Sequence, residues 1–227
     1  MAKFKTLPKF ALMEIQLEVL PYQFAAIQAV TNVFDGQVKN TFDNTFFQGL
    51  RSNACDLTLE RIRQNVQAVA TRNNIAESEA RLSDDMDFCI EMETGTGKTL
   101  VYLRTIYELH RHYGFTKFIV LVPSVAIRQG VLATLRIFER QLGITYNFKP
   151  DYFEYDSKKM SQVRRFVEEQ HPQIMVMTLA SFNSEEKILN QHQRENLFSN
   201  LPFIQAIAQT RPIVIMDEPQ EGMDTPN

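Results

Sequence analysis

Between Phe88 and Met216, nearly continuous apolar runs alternate with longer stretches in which apolar residues return every three or four positions. Phe88–Met92, Lys117–Val122, Gln173–Thr178 and Pro212–Met216 read as strands buried on both faces, because neither face is marked by regular polar positions. Helices are predicted over Lys98–Tyr113, Ser124–Gln141 and Lys158–Glu169, with a shorter one near Phe203. Gly114 and Gly143 stand where two of them should stop, and Thr145–Tyr155 reads as a hairpin-like stretch. Repeated strand–helix–strand units predict an α/β fold in which a mainly parallel sheet lies between two helical layers.

The chain ahead of this region behaves differently. Leu12–Leu20 alternates like a short strand, and Pro21 then opens a helix that begins near Tyr22 and ends around Asp35 and Gly36. From Val38 to Asp85 turn-like polar pieces around Asn40 and Ser52 lead into a helical stretch, Leu57–Leu82, closed by Asp84, Asp85 and Asp87. This region reads as an insertion, helical in its second half. Leu57–Leu82 reads as packing on the core or on a partner, with Arg61, Arg63 and Arg72 as an alternative DNA surface.

Composition narrows the function classes. Lys and Arg total 24 against 27 Asp and Glu, so no overall basic field exists and any nucleic-acid contact must be local. Cys55 and Cys89 are far apart, without a CxxC partner or a nearby His pair, which argues against structural zinc and against a disulfide-stapled secreted domain. No run approaches the roughly 20 apolar residues of a membrane span, and a reducing cytoplasm is the expected setting.

The densest chemical signal is METGTGKT, Met92–Thr99, between a predicted strand and a predicted helix. Small residues let the backbone amides of Thr94, Gly95, Thr96 and Gly97 approach phosphate oxygens, and the helix start at Lys98 adds a positive dipole end. Lys98 is expected on the β- and γ-phosphates, with the Thr99 hydroxyl on Mg²⁺. Met92 stands where the general phosphate-loop pattern has its first glycine. Asp217 and Glu218 follow the last apolar run directly, at the carboxyl edge of a sheet where ligands collect. Asp217 can hold Mg²⁺ through water and Glu218 can orient an attacking water; alone, such a pair is most often the start of a solvated loop. In LPYQFAAI, Leu20–Ile27, the Gln23 amide can both donate to and accept from an adenine edge, or sit exposed on its helix. Pro150, Asp151, Asp156 and Lys158 spell a nuclease-like PD and DxK, but with too little chain between them to turn and return; a charged loop explains the same letters. His110, His112, His171 and His192 read as solvated.

Together these motifs resemble superfamily-two helicases and translocases. LPYQ stands as the Q motif, METGTGKT as motif I, VPSVAIRQG as Ia, TLASFN as Ib and DEPQ as II. Within that superfamily the set looks like the Res subunit of type III restriction enzymes, over Leu20–Asp35 and Asp87–Asp224. The resemblance implies a RecA-like P-loop NTPase domain that ends after motif II. A second RecA-like domain, a nuclease and the strand carrying motif III would lie outside this sequence. It implies ATP and Mg²⁺ as cofactors, and double-stranded DNA and a methylating Mod subunit as partners. It also implies a DNA path lined by Ser124, Arg128, Thr178 and Ser181, although Ser124 reads equally well as a helix cap and Arg128 as a surface residue. Since relatives take an arginine from the second domain during hydrolysis, weak turnover by this chain alone is expected. A type I restriction motor, a repair helicase and a nonhydrolysing nucleotide-binding or docking module are the competing functions.

Overall fold

The computed structural model describes residues 20–47, 49–76, 86–156, 158–181 and 203–218. Along the chain these form α1 (Pro21–Val33), α2 (Phe42–Thr45), β1 (Phe46–Phe47), β2 (Leu50–Arg51), α3 (Leu59–Arg72), α4 (Lys98–Tyr113), β3 (Lys117–Val122), α5 (Val125–Tyr146), β4 (Asp151–Glu154), α6 (Met160–Glu168), β5 (Gln173–Thr178), α7 (Phe203–Gln209) and β6 (Ile213–Met216). The main sheet has the order β4-β5-β3-β6, and every pair in it is parallel. β1 and β2 pair antiparallel as a separate small ribbon.

Strand alternation divides the core in two. Phe118, Val120 and Val122 of β3, with Ile174 and Val176 of β5, pack beneath Leu103, Ile106 and Leu109 of α4, Val131, Leu132 and Leu135 of α5, and Val33 and Ile62. The intervening Ile119, Leu121, Met175 and Met177 face the other way, onto Val163, Phe166 and Val167 of α6 and Ala206 and Ile207 of α7. Every residue of β3 and β5 is buried, which is why these strands read as apolar runs with no polar face. The expected three layers are present, and no described helix is long and apolar enough to cross a membrane.

The region from Val38 onward is part of the core as well as an addition to it. Leu50 is buried in the second cluster and Ile62 of α3 in the first. Arg61 pairs with Asp35 at 3.6 Å. Asn53 performs the work of a missing strand edge: its Oδ1 accepts from the Thr116 and Lys117 amides at 2.8 and 3.1 Å, and its Nδ2 donates to the Lys117 and Arg211 carbonyls at 2.9 and 3.1 Å. One side chain thus satisfies the backbone at the entry to β3 and just before β6.

The structure departs from the sequence pattern at four places. Phe88–Met92 forms no strand; Phe88 and Ile90 are 40% and 38% exposed. An apolar run becomes a strand only where a ladder partner receives it. β6 pairs with β3 alone among the described strands, and its Val214 and Met216 are 48% and 46% exposed. Gly143 does not stop α5, which runs on to Tyr146 and ends at Asn147 in the left-handed region (φ 59°). Gly143 is small for packing reasons, since a Cβ there would lie 2.8 Å from Lys149 Cγ. Thr145–Tyr155 is the end of α5, a loop and β4, whose partner is β5, so no hairpin forms. His110 is half-buried rather than solvated: its Nδ1 lies 2.9 Å from the Phe115 carbonyl and its ring 4.4 Å from Phe148, and burial lowers its pKa. His112 and His171 are exposed, near Glu108 and Asp151. Leu12–Val19, residues 77–85 and His192 lie outside the described residues.

Lys117 starts β3 with its side chain wholly buried, its amine donating to the Glu169 carbonyl and lying 5.4 Å above the Phe166 ring. Burial pulls its pKa down from 10.5 to about 7, with the Glu169 charge opposing and Arg51 assisting. Between about 7 and 10.5 the unfolded chain therefore holds a proton that the folded chain has released, so this residue makes stability rise with pH across that window. Lys117→Met should gain stability relative to wild type as pH falls from 9 to 6, measured by denaturant unfolding; a difference independent of pH would contradict it. Asn53→Ala should cost about 3 kcal/mol in the same assay, because several buried backbone groups lose their partner together.

Candidate nucleotide site

The loop before α4 is built from backbone conformations that favour glycine. Gly97 caps α4 at φ 87°, ψ 33°, and Gly95 has φ 82°. An L side chain is strained at both. At Gly97 a Cβ would also lie 2.8 Å from the Gln23 amide nitrogen, whereas at Gly95 it would meet nothing within 4 Å. One glycine therefore allows the loop to close against α1, and the other leaves open space beside it.

The closure is made by carbonyls. The Thr96 amide and hydroxyl donate back to the Glu93 carbonyl at 3.3 and 2.6 Å. The Thr96 carbonyl in turn accepts from the Tyr22 hydroxyl at 3.2 Å and from Gln23 Nε2 at 2.8 Å. Gln23 is 7% exposed, and its Oε1 accepts from the Leu20 amide at 3.4 Å. Both ends of the amide expected to meet adenine are thus engaged on the loop and on the start of its own helix. Thr94 lies exposed in the turn.

β6 delivers the acidic pair. The Asp217 amide donates to the Leu121 carbonyl at 2.9 Å, extending the β3–β6 ladder by one residue. Glu218 then leaves the strand with φ 55°, a left-handed conformation that costs a non-glycine residue about 1 kcal/mol. That turn directs its carboxylate to Lys98, whose Nζ lies 3.0 Å from Glu218 Oε1. Asp217 Oδ2 accepts from the Tyr102 hydroxyl at 3.2 Å. Burial raises the Asp217 pKa; the Tyr102 bond and Lys98 act against it, and Glu218 reinforces it. Burial also raises the Tyr102 pKa, the Asp217 charge adds to this, and a hydrogen bond from Thr99 opposes it. Lys98, Thr99, Asp217 and Glu218 are therefore gathered around one point, the N-terminal turn of α4 against the end of β6.

The residues fit Mg·ATP by their chemistry. A cation (Lys98), a helix N-terminus and an uncrowded glycine suit phosphate oxygens, while the Thr99 hydroxyl and the Asp217 carboxylate are hard oxygen donors. Tyr22 and Tyr102 were not singled out from the sequence. Their signal was available: Tyr22 adjoins Gln23, and Tyr102 lies three and four positions beyond Thr99 and Lys98, on the same helical face.

The four residues assigned to a DNA path lie at the carboxyl ends of β3 and β5, and all have partners within the chain. Ser124 Oγ accepts from the Ile127 amide at 3.3 Å and caps α5. Arg128 pairs with Glu154 at the end of β4 at 2.5 Å, where Gln129 also donates at 3.3 Å. The Thr178 and Ser181 hydroxyls lie 2.8 Å apart, and Thr178 Oγ1 accepts from the Ser181 amide. Asp151 and Asp156 flank β4 at its two ends, on Arg165 and on the Lys158 amide, and no metal-binding cluster occurs among the described residues. A cavity of about 220 Å³ lined by Tyr152, Gln162, Arg165 and Gln173 lies along β4 rather than at the glycine loop.

A parallel sheet with a glycine loop leading into a helix, and an acidic pair ending a strand beside it, defines a RecA-like P-loop domain. The chain belongs to the type III restriction enzyme Res subunit family, whose model matches residues 16–219. It is 28% identical over 224 residues to the Res subunit of the type III restriction-modification enzyme EcoP15I of Escherichia coli, covering 88% of this chain and 22% of that protein. It is 30% identical over 228 residues to the EcoPI Res subunit of Escherichia phage P1, covering 89% of this chain and 23% of that protein. The chain thus spans about a fifth of the length of these relatives. Family and fold together define a helicase-like ATPase motor domain.

The Ser124 geometry yields a discriminating pair of variants. Ser124→Ala should lose about 1 kcal/mol of stability, while Ser124→Asp, an equally good cap, should retain it in a thermal melt. If Ser124→Asp also lowers DNA affinity, Ser124 faces phosphate as well as capping; if Ser124→Ala melts as wild type does, the cap is not its contribution.

Proposed function

We propose that the chain is the ATP-binding and ATP-hydrolysing motor portion of a Res subunit. In proteins of the relatives' length it would drive movement on double-stranded DNA in company with a DNA-methylating Mod subunit, in the cytoplasm. The observation that carries this reading is the meeting of Lys98 with Glu218 at 3.0 Å, which joins two motifs 120 residues apart.

Lys98 would bind the β- and γ-phosphates, and the amides of Gly95 and Gly97, joined by that of Thr96 once it leaves the Glu93 carbonyl, would close around them. Thr99 and Asp217 would hold Mg²⁺, which when bound supplies charge neutralisation between the two phosphates. Glu218, released from Lys98 when phosphate takes the lysine, would orient and polarise a water. The ion pair is partly exposed, at 29% and 36%, so its exchange for phosphate costs little. Gln23 would read adenine after giving up its bonds to Leu20 and Thr96, which links base recognition to the loop. DNA would run along the rim formed by Ser124, Arg128, Thr178 and Ser181.

Binding of a fluorescent ATP analogue in Mg²⁺ tests the reading. Lys98→Ala should weaken it about 30-fold or more, the worth of a charge-assisted hydrogen bond. Equal affinity in wild type and variant would remove Lys98 from the site.

A further inference from the structure

Tyr102 occupies a position that neither the glycine loop nor the acidic pair explains. Its ring packs against the first core cluster, so the phenol has little freedom to move. Its hydroxyl emerges at the site and donates to Asp217 Oδ2 at 3.2 Å. Thr99 lies one helical turn earlier on the same face of α4. Asp217 is tied by its amide to the Leu121 carbonyl, so its backbone is fixed and only the carboxylate can rotate.

We infer that Tyr102 is a positioning residue for divalent-cation binding: it holds one oxygen of Asp217, leaving the second Asp217 oxygen for Mg²⁺. This rests on the nucleotide-site reading above. A carboxylate that must serve a metal with one oxygen benefits from a fixed donor on the other, as outer-shell partners do elsewhere. The core-packed ring supplies the rigidity and the hydroxyl supplies the orientation, so the two contributions separate in Tyr102→Phe.

The test is a Mg²⁺ titration of fluorescent ATP analogue binding by the whole 227-residue chain, alongside binding in EDTA and a thermal melt. Tyr102→Phe should need on the order of 10-fold more Mg²⁺ for half-maximal binding, while its affinity in EDTA matches wild type. Asp217→Asn should show the same selective shift, and Tyr102→Phe in the Asp217→Asn background should add nothing further. An unchanged Mg²⁺ requirement in Tyr102→Phe overturns the inference. So does equal weakening with and without Mg²⁺, or loss of cooperative melting, since either makes the hydroxyl a general structural element. If wild type binds the analogue with no Mg²⁺ dependence, the nucleotide-site reading fails and takes this inference with it. Mg²⁺-dependent binding in wild type with an unaltered Tyr102→Phe removes the inference alone.

Discussion

Parallel pairing brings the carboxyl ends of neighbouring strands to one rim, and the chemistry of this chain depends on that constraint. β3, β4, β5 and β6 all run the same way, so Ser124, Glu154, Thr178 and Asp217 emerge together although they are distant in sequence. The opposite rim carries structural polar groups instead. There Asn53 satisfies the backbone entering β3 and preceding β6, and Lys117 is buried against Glu169 and Phe166. One edge thus gathers the candidate-site residues and the other is held by structural polar groups.

At the ligand rim the elements are held by bonds of different strength. The Asp217 amide on Leu121 and the Tyr102 ring in the core are fixed, being backbone ladder and buried packing. The Lys98–Glu218 pair is partly exposed, and Gln23 holds the glycine loop through a single bond to the Thr96 carbonyl. The rigid parts set where a cation and a water would sit. The exchangeable parts are those that a phosphate or a base would replace, and the left-handed Glu218 stores a little strain at the point of exchange.

Much of this was legible before the fold was seen. The β3 and β5 limits and the α4 limits agree with the apolar runs and with Gly114, because those elements are buried on all the faces that periodicity reports. Phe88–Met92 was misread because an apolar run specifies burial but not the partner edge that makes a strand. Gly143 was misread because its smallness serves Lys149 rather than a left-handed turn. Glycine spacing, Lys98 and the acidic pair mark the candidate site in one dimension. Tyr22 and Tyr102 become visible only with α1, α4 and β6 in place, since their partners are a backbone carbonyl and a carboxylate 74 and 115 residues away. The residues proposed for a DNA path show the converse: Ser124, Thr178 and Ser181 do local capping and turn work that their side chains do in any fold.

Hydrogen–deuterium exchange with and without Mg·ATP tests most directly whether the glycine loop and the acidic pair are one site. Amides of residues 95–99 and of Asp217 and Glu218 should slow together on adding Mg·ATP, with smaller changes along the β4 cavity. Protection of the loop with no response at Asp217 and Glu218, or protection centred on Tyr152 and Arg165, would contradict the account.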